Sequence, residues 1–466
     1  MGHHLLPDVV EHGFFVIECF KHKILSFSVC SSINYKTIMD ALKEPITIEE
    51  VGRRGDGIAR IEDTTVIAPK AAPGETIQII TGSREGDRFH VVHAKRIEPE
   101  SKNKPCTPAC RHYGSIEKIG CGGCSIQHIP ESDYKEWKEQ RLLKALNKEG
   151  IEAEIDKTHF LPPYTRRRVV WHIEKTHSGE MLLGYFKPHS HELVDIAKSC
   201  PILCPEMVEI TDRVRDMLAP VINIGETIRF HLSYVNGMLD GVIERPRPLN
   251  AVDQRDLKNA GKQFLHRLSY TRDGLSVTTI HTGKPIIYTF DGISIPMPPL
   301  TFLQATEESE KIMQAYVTEH LKDKRRIVDL FCGLGTLTVP VANMKQTKGV
   351  MGFDSAKAAV DALDSAGRPI GIKALVRDLY RKPLVKSELN NIDAAIIDPP
   401  RAGAEEQFKF LARAGVERII SISCNPDTFA KDAKILTNAG YTMKDLTLID
   451  QFIWSHHLEI AAVFNL

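Results

Sequence analysis

A single cysteine, Cys424, stands where an apolar run meets a polar turn. The run Arg418–Ser423 predicts a buried strand, whereas Asn425 and Pro426 are typical of a helix cap and first turn. A thiol at the N-terminus of a helix lies in the positive field of the helix dipole, which favours the thiolate. The residues therefore suggest a nucleophile, and the alternative is a small packing residue that ends a strand.

The ten cysteines are unevenly distributed, with four in CTPACRHYGSIEKIGCGGC and two in SCPILCP. On ligand type, four thiolates suit zinc and a cubic iron–sulfur cluster equally well. A zinc ribbon would carry a second CxxC pair close by, and the sequence has none there. A secreted disulfide protein of this length would not also carry a long α/β pattern, so metal binding or cytosolic thiol chemistry is expected.

The segment RIVDLFCGLGTLTVPVA predicts a strand, a glycine-bearing turn and an apolar helix. Gly333 and Gly335 allow the backbone to approach a ligand at the carboxyl end of the first strand of a parallel sheet. The third glycine of a dinucleotide fingerprint is absent, because Leu337 and Thr338 follow Thr336. This departure argues against NAD.

Aspartates end successive predicted strands, with Asp329 at the first, Asp354 at the second and Asp378 at the third. Such an ordered set is typical of S-adenosylmethionine sites, and Asp354 is placed to bond ribose hydroxyls. The fourth strand ends in IIDPPRAG, which puts Asp398 at the same catalytic edge. Arg401 stands where amino-group methylases carry an aromatic residue that stacks on a flipped base, so an exocyclic amine is not the expected target.

The elements that must position these residues form three predicted domains. Residues 41–99 contain short strands divided by RRGDG, APGE and REGD, which predicts a small closed barrel of five strands. Residues 100–300 are strand-rich and include a helix over 131–150, which we expect to pack on the catalytic domain. Residues 301–466 alternate strands and helices, which predicts an α/β domain with a doubly wound parallel sheet.

Bulk composition excludes some classes of protein. The chain has 466 residues, 26% charged and 42% apolar, with no net charge, so only local clusters can attract nucleic acid. No apolar run reaches the length of a membrane span, and FFVIECF lacks a clean cleavage site. We expect a cytoplasmic protein with no membrane partner and no obligate protein partner. Residues 1–40 lack a clear hydrophobic period, which predicts an N-terminal extension. Met39 is an alternative start to Met1.

The motifs DLFCGLGT, DPPRAG, SCNPDTFAKD and WSHHLEIAAVF, in this order, resemble the RNA uracil-5-methyltransferase family. The closest similarity is to the branch that has a TRAM domain and a 4Fe-4S cluster and methylates 23S ribosomal RNA. The resemblance runs from about residue 45 to the end of the chain. It implies a Rossmann-like S-adenosylmethionine methyltransferase domain, an OB-like TRAM barrel and a central iron–sulfur domain that binds RNA.

The resemblance also implies roles for individual residues. Cys424 is the nucleophile that adds to C6 of uracil, and Glu459 in HHLE is the base that removes the C5 proton. The family more often has asparagine where this chain has Thr306, and glutamate where it has Asp354. The implied cofactor-binding residues are Gln304, Asp329, Phe331, Gly333, Asp354, Asp378 and Asp398.

For the cluster, the resemblance implies a fourth ligand far downstream in a CPIL motif, which Cys200 provides. Cys106 competes with Cys110 for the first position, and CRHYG favours Cys110 because it matches the family pattern. The implied 4Fe-4S ligands are Cys110, Cys121, Cys124 and Cys200.

Basic residues interleaved with aromatics predict where RNA lies. The segment Tyr164–Arg168 is followed by Trp171 and His172 on a predicted hairpin, and the barrel offers a second basic surface. The expected substrate is 23S ribosomal RNA. The alternatives are a transfer RNA methyltransferase and a non-catalytic RNA-binding protein with structural zinc.

Overall fold

The computed structural model describes residues 42–97, 106–196 and 198–466. The predicted extension over residues 1–40 and the predicted domain boundary at 99–100 lie outside this part of the chain. Within it, no helix is long and apolar enough to cross a membrane.

The chain divides into two compact units. The first runs to Cys106 and also includes Gly114–Ile119, and the second comprises Thr107–Tyr113 and Gly120–Leu466.

The first unit is a six-stranded sheet with the order β1-β5-β6-β4-β3-β2. Its edge strands come from one short stretch, interrupted at Ile48 and Glu49, which pairs with β5 on one side and with β3 on the other. The sheet therefore closes on itself around an apolar core, and it has six strands where the sequence predicts five. The strands are β1 (Ile46–Thr47), β2 (Glu50–Val51), β3 (Gly57–Ile61), β4 (Thr64–Ala68), β5 (Thr76–Glu85) and β6 (Arg88–Ile97).

The second unit begins with the predicted helix, α1 (Glu131–Lys148), and the strand β7 (Lys157–Phe160). The apolar face of α1 is buried, and Leu142 and Leu146 share a core with Phe429 and Leu448 of the C-terminal third. Helix α1 thus packs on the sheet of the C-terminal third.

A seven-stranded sheet follows, with the order β10-β9-β8-β11-β12-β13-β14. Its first hairpin turns at Gly179, which has φ +85°, as the sequence predicts. The elements are β8 (Arg168–Lys175), β9 (Met181–Phe186), β10 (Leu193–Asp195), α2 (Pro205–Glu209), α3 (Thr211–Leu218), β11 (Thr227–Val235), β12 (Met238–Glu244), α4 (Ala251–Gly261), β13 (Arg267–Thr271) and β14 (Val277–Thr282). A separate two-stranded hairpin comprises β15 (Ile287–Phe290) and β16 (Ile293–Pro296).

The C-terminal third alternates strands and helices, as predicted, and forms an eight-stranded sheet with the order β19-β18-β17-β20-β21-β23-β22-β7. Strands β17 to β21 are mutually parallel, so their carboxyl ends meet at one edge. Strand β23 is antiparallel to both neighbours. The elements are α5 (Glu307–Leu321), β17 (Arg326–Leu330), α6 (Thr338–Ala342), β18 (Gly349–Asp354), α7 (Lys357–Gly367), a 3-10 turn (Arg368–Ile370), β19 (Ile372–Val376), β20 (Ala394–Ile397), α8 (Glu405–Ala414), β21 (Arg418–Ser423), α9 (Pro426–Asn438), β22 (Thr442–Asp450) and β23 (Glu459–Asn465).

Candidate active site

Cys424 lies where the sequence predicts, between the buried strand β21 and helix α9. Asn425 caps the helix, because its side-chain oxygen accepts a hydrogen bond from the Asp427 N–H at 3.2 Å. The Asn425 amide also donates to the carbonyl of Arg401 at 3.1 Å. The thiol is thus held beside the DPPRAG loop.

The surroundings of Cys424 affect the pKa of its thiol in opposing directions. Burial raises the pKa of its thiol to about 12, and the neighbouring Glu459 and Asp398 act in the same direction. Arg401 lowers this pKa more weakly. Desolvation and two nearby carboxyl groups therefore oppose the thiolate that the helix terminus is predicted to favour.

Glu459 begins β23 and has only 3% of its surface exposed. Burial raises its pKa well above the usual value, with a further contribution from Asp398. The Gln451 side-chain amide donates to Glu459 Oε2 at 2.5 Å and lowers this pKa. Asp398 has its own pKa raised to about 7 by burial, and it accepts a hydrogen bond from Gln304 Nε2 at 3.3 Å. The structure therefore brings Cys424, Glu459 and Asp398 together at one sheet edge.

The glycine-bearing turn after β17 leaves room for a ligand. Gly333 has φ +53°, and a side chain built there would meet no atom within 4 Å. Its N–H donates to Asp354 Oδ2 at 3.1 Å. Asp329 accepts from the Thr338 hydroxyl at 2.5 Å through Oδ2, whereas Oδ1 is buried and has no hydrogen-bond partner within the described chain. Burial raises the pKa of Asp329 to about 7.

Two aromatic side chains, those of Phe331 and Tyr380, lie next to this turn. The Phe331 ring lies 5.6 Å from that of Tyr380, measured between centroids. Asp378 Oδ1 accepts the backbone N–H groups of Tyr380 at 3.0 Å and Arg381 at 3.2 Å. The Tyr380 hydroxyl donates to the carbonyl of Gly403 at 2.9 Å. Tyr380 therefore joins the third-strand aspartate to the DPPRAG loop, a role that the sequence did not predict.

A buried ion pair, also not predicted, supports the segment that leads into Glu459. Lys138 of α1 donates to Asp450 Oδ1 at 2.7 Å, and their side chains are 0% and 1% exposed. Lys138 also donates to the carbonyl of His457 at 2.5 Å. The sequence does contain a sign that Lys138 is buried, because it lies on the apolar face of α1 between Tyr134 and Leu142.

The four predicted cluster cysteines lie on two segments that meet in the second unit. Gly122 between Cys121 and Cys124 donates to the carbonyl of Phe186 at 3.0 Å, and a side chain there would approach that oxygen to 2.6 Å. Only glycine fits this position.

The thiols of these cysteines interact with one another. Burial raises the pKa of Cys200 to about 12, and Cys110 and Cys121 raise it further. Burial also raises the pKa of Cys124, with contributions from the same two thiols and from Cys200. Among the described residues, no group of three or more His, Cys, Asp or Glu side chains has an arrangement that could hold a metal ion.

Comparison with known proteins gives the family. The sequence model described as tRNA (Uracil-5-)-methyltransferase matches residues 373–465. An uncharacterized RNA methyltransferase of Brucella suis is 37% identical over 425 residues, which cover 90% of this chain and 97% of the relative. The chain belongs to the RNA uracil-5-methyltransferase family.

Two further proteins are similar to this chain. A 23S rRNA (uracil(1939)-C(5))-methyltransferase of Pectobacterium atrosepticum is 28% identical over 433 residues, covering 90% of this chain and 93% of the relative. The crystal structure of Pyrococcus abyssi tRNA (uracil-54, C5)-methyltransferase in complex with S-adenosyl-L-homocysteine superposes with a TM-score of 0.67 at 20% identity. It covers 90% of this chain and 100% of that chain, and it supports the fold.

Thr306, next to the Gln304–Ala305 segment, has a structural role. It caps helix α5 by accepting the Ser309 N–H at 3.0 Å. A short polar side chain is sufficient for this contact.

The predicted RNA-binding surface needs two corrections. Trp171 is fully buried and packs with Phe230, so it cannot stack on a base. Arg167 is also buried, where it pairs with Glu310 at 2.8 Å and donates to the Tyr288 hydroxyl at 2.7 Å. Successive side chains along this segment point to opposite faces, and these two point into the core. The sequence alone did not reveal which face of the sheet is buried.

Proposed function

We propose that this methyltransferase transfers a methyl group from S-adenosylmethionine to C5 of a uridine in 23S ribosomal RNA. The observation that carries the proposal is the electrostatic neighbourhood of Cys424, Glu459 and Asp398 at the sheet edge that also bears the glycine turn. The relative that acts on 23S rRNA supports this choice of RNA.

The residues around the glycine turn fit S-adenosylmethionine, which supplies an electrophilic methyl group when bound. Asp329 Oδ1 is a buried acceptor without a hydrogen-bond partner among the described residues, and the open space beside Gly333 allows a ligand to approach closely. Asp354 and Asp378 end the next two strands, and Gln304 and Phe331 complete the proposed set. We assign these residues, with Asp398, to the cofactor site.

Cys424 and Glu459 act on opposite ends of the same double bond. The Cys424 thiol gives its proton to the carboxylate of Asp398, a neighbouring group that interacts with this thiol electrostatically. The thiolate then forms an S–C6 bond, and the displaced electron pair makes C5 nucleophilic. The uracil must leave its stack for this attack.

The reaction ends with elimination. Once C5 carries the methyl group, the Glu459 carboxylate accepts the C5 proton. The electron pair of that C–H bond restores the C5–C6 double bond as the S–C6 bond breaks, which returns Cys424 as a thiolate. Arg401, which favours the thiolate of Cys424, assists this departure.

The direct test compares RNA from cells with and without the gene by mass mapping of 5-methyluridine. We expect one site in 23S rRNA to lose its methyl group, and a gene encoding the Cys424→Ala variant should fail to restore it. A loss confined to transfer RNA would support transfer RNA as the substrate instead. The similarly folded Pyrococcus abyssi enzyme is a tRNA methyltransferase. Unchanged methylation of both RNAs would contradict the proposal.

We also propose that Cys110, Cys121, Cys124 and Cys200 hold a 4Fe-4S cluster. Burial and the neighbouring thiols raise the pKa of Cys124 and Cys200, so these groups are unfavourable as free thiolates, whereas iron binds thiolates. Bound there, the cluster would join the cysteine loop to the Cys200 segment. The closed barrel of the first unit, which we interpret as a TRAM domain, would offer RNA a second surface in a cytoplasmic enzyme.

A further inference from the structure

One buried side chain, Gln451, contacts both the proposed base and the proposed cofactor site. It follows β22 directly, and 3% of its surface is exposed. Its Nε2 donates to Glu459 Oε2 at 2.5 Å and to Gln304 Oε1 at 3.0 Å. Its Oε1 accepts from the Ala305 N–H at 2.9 Å and from the Ser309 hydroxyl at 2.8 Å. A side-chain amide has two donor hydrogens and two acceptor lone pairs, so these four contacts satisfy it completely.

The orientation of this amide follows from its partners. The Ala305 backbone N–H can only donate, so the group that faces it must be the oxygen of Gln451. A flipped amide would place N–H against N–H at Ala305 and oxygen against the Glu459 carboxylate. Gln451 therefore presents Glu459 with a donor, and the backbone holds it in that orientation.

We propose that Gln451 is a positioning residue that holds the Glu459 side chain for removal of the C5 proton and joins it to the Gln304–Ala305 segment of the cofactor site. This inference rests on the proposed function. Gln451 touches neither substrate nor reacting atom in this scheme, and it acts through Glu459.

The charges around Glu459 explain why this donor matters. Asp398 and Cys424 are the ionisable groups that interact with Glu459, and each adds negative charge when ionised. Burial also opposes the carboxylate, and the Gln451 N–H is the contact that favours it among the described residues. Loss of this N–H would raise the pKa of Glu459 further and allow its side chain to turn.

The test separates two steps in a single turnover on 23S rRNA fragments labelled with tritium at uracil C5. The denaturation-resistant protein–RNA adduct reports the addition of Cys424, and tritium release reports proton removal by Glu459. For Gln451→Met, which keeps the volume but loses the donor, we expect release to slow about 10- to 100-fold while adduct formation changes less than about threefold. The adduct should accumulate, and the acidic limb of the release rate should move to higher pH.

Gln407→Met is the matched control. Gln407 is also a buried glutamine, and it lies on helix α8. Its Oε1 accepts the Leu384 N–H at 2.8 Å, and its Nε2 donates to the Leu384 carbonyl at 3.2 Å. This variant should lose comparable stability but leave the ratio of adduct formation to tritium release unchanged. Equal slowing of both steps by Gln451→Met, or no change in their ratio, would overturn the inference. If the unsubstituted enzyme forms neither adduct nor 5-methyluridine, the proposed function itself fails.

Discussion

Removal of the Lys138 ammonium should destabilise the second unit strongly. Its Nζ lies 2.7 Å from Asp450 Oδ1, and both side chains are almost completely buried. The other Asp450 oxygen accepts from the Tyr134 hydroxyl, and Lys138 also bonds the carbonyls of Phe452 and His457. Lys138→Met would therefore leave a buried carboxylate without its cation and two carbonyls without this donor.

The magnitude follows from burial. Breaking a buried pair by removing one partner costs about 3–5 kcal/mol, because the remaining charge stays desolvated. The matched control is Lys135→Met on the same helix, where Lys135 pairs with Glu131 at 2.5 Å in an exposed position. That substitution should cost less than about 0.5 kcal/mol.

Urea unfolding followed by tryptophan fluorescence measures this difference. The three tryptophans, Trp137, Trp171 and Trp454, all lie in the second unit, so their emission follows that unit. The free energy of unfolding comes from the midpoint and the slope. Lys138→Met combined with Asp450→Asn should recover part of the loss, because the uncompensated charge is gone. Equal losses for Lys138→Met and Lys135→Met, or strict additivity in the double variant, would refute the reasoning.

Three further predictions concern the chemistry. Glu459→Gln should accumulate a denaturation-resistant RNA adduct on gels that Cys424→Ala does not form, and full product release by Glu459→Gln would point to another base. Because the pKa of Cys424 is about 12, roughly one thiol in ten thousand is ionised at pH 8 without RNA. Its alkylation by iodoacetamide, followed by peptide mass spectrometry, should rise about tenfold per pH unit from pH 7 to 9, and a plateau in this range would contradict the pKa. Protein purified without oxygen should be brown with about four iron and four sulfide per chain. Zinc without iron would contradict the cluster. Serine should remove the colour at Cys110, Cys121, Cys124 and Cys200 but not at Cys106 or Cys204.

Much of the fold was predictable because local patterns determine local structure. The buried run Arg418–Ser423 and the Asn-Pro pair after it specify a strand and a capped helix, which places Cys424 at their junction. The alternation of elements after Glu307 specifies parallel strands, and parallel strands bring Asp329 and Asp354 to one edge. Five strands were predicted for the barrel, and the sixth arises because the two halves of the stretch interrupted at Ile48 and Glu49 pair with different neighbours.

The sequence by itself determined which residue types stand at the strand ends and turns, and so the kind of chemistry this site can support. Only the tertiary structure decided their environment. Lys138 and Asp450 are 312 residues apart in the chain, and no local pattern pairs them. Desolvation raises the pKa of Cys424, and tertiary packing buries Trp171 in the core and places Gln451 against Glu459. The physical reason is that desolvation depends on everything that packs around a group, whereas capping and strand periodicity depend only on neighbours in sequence.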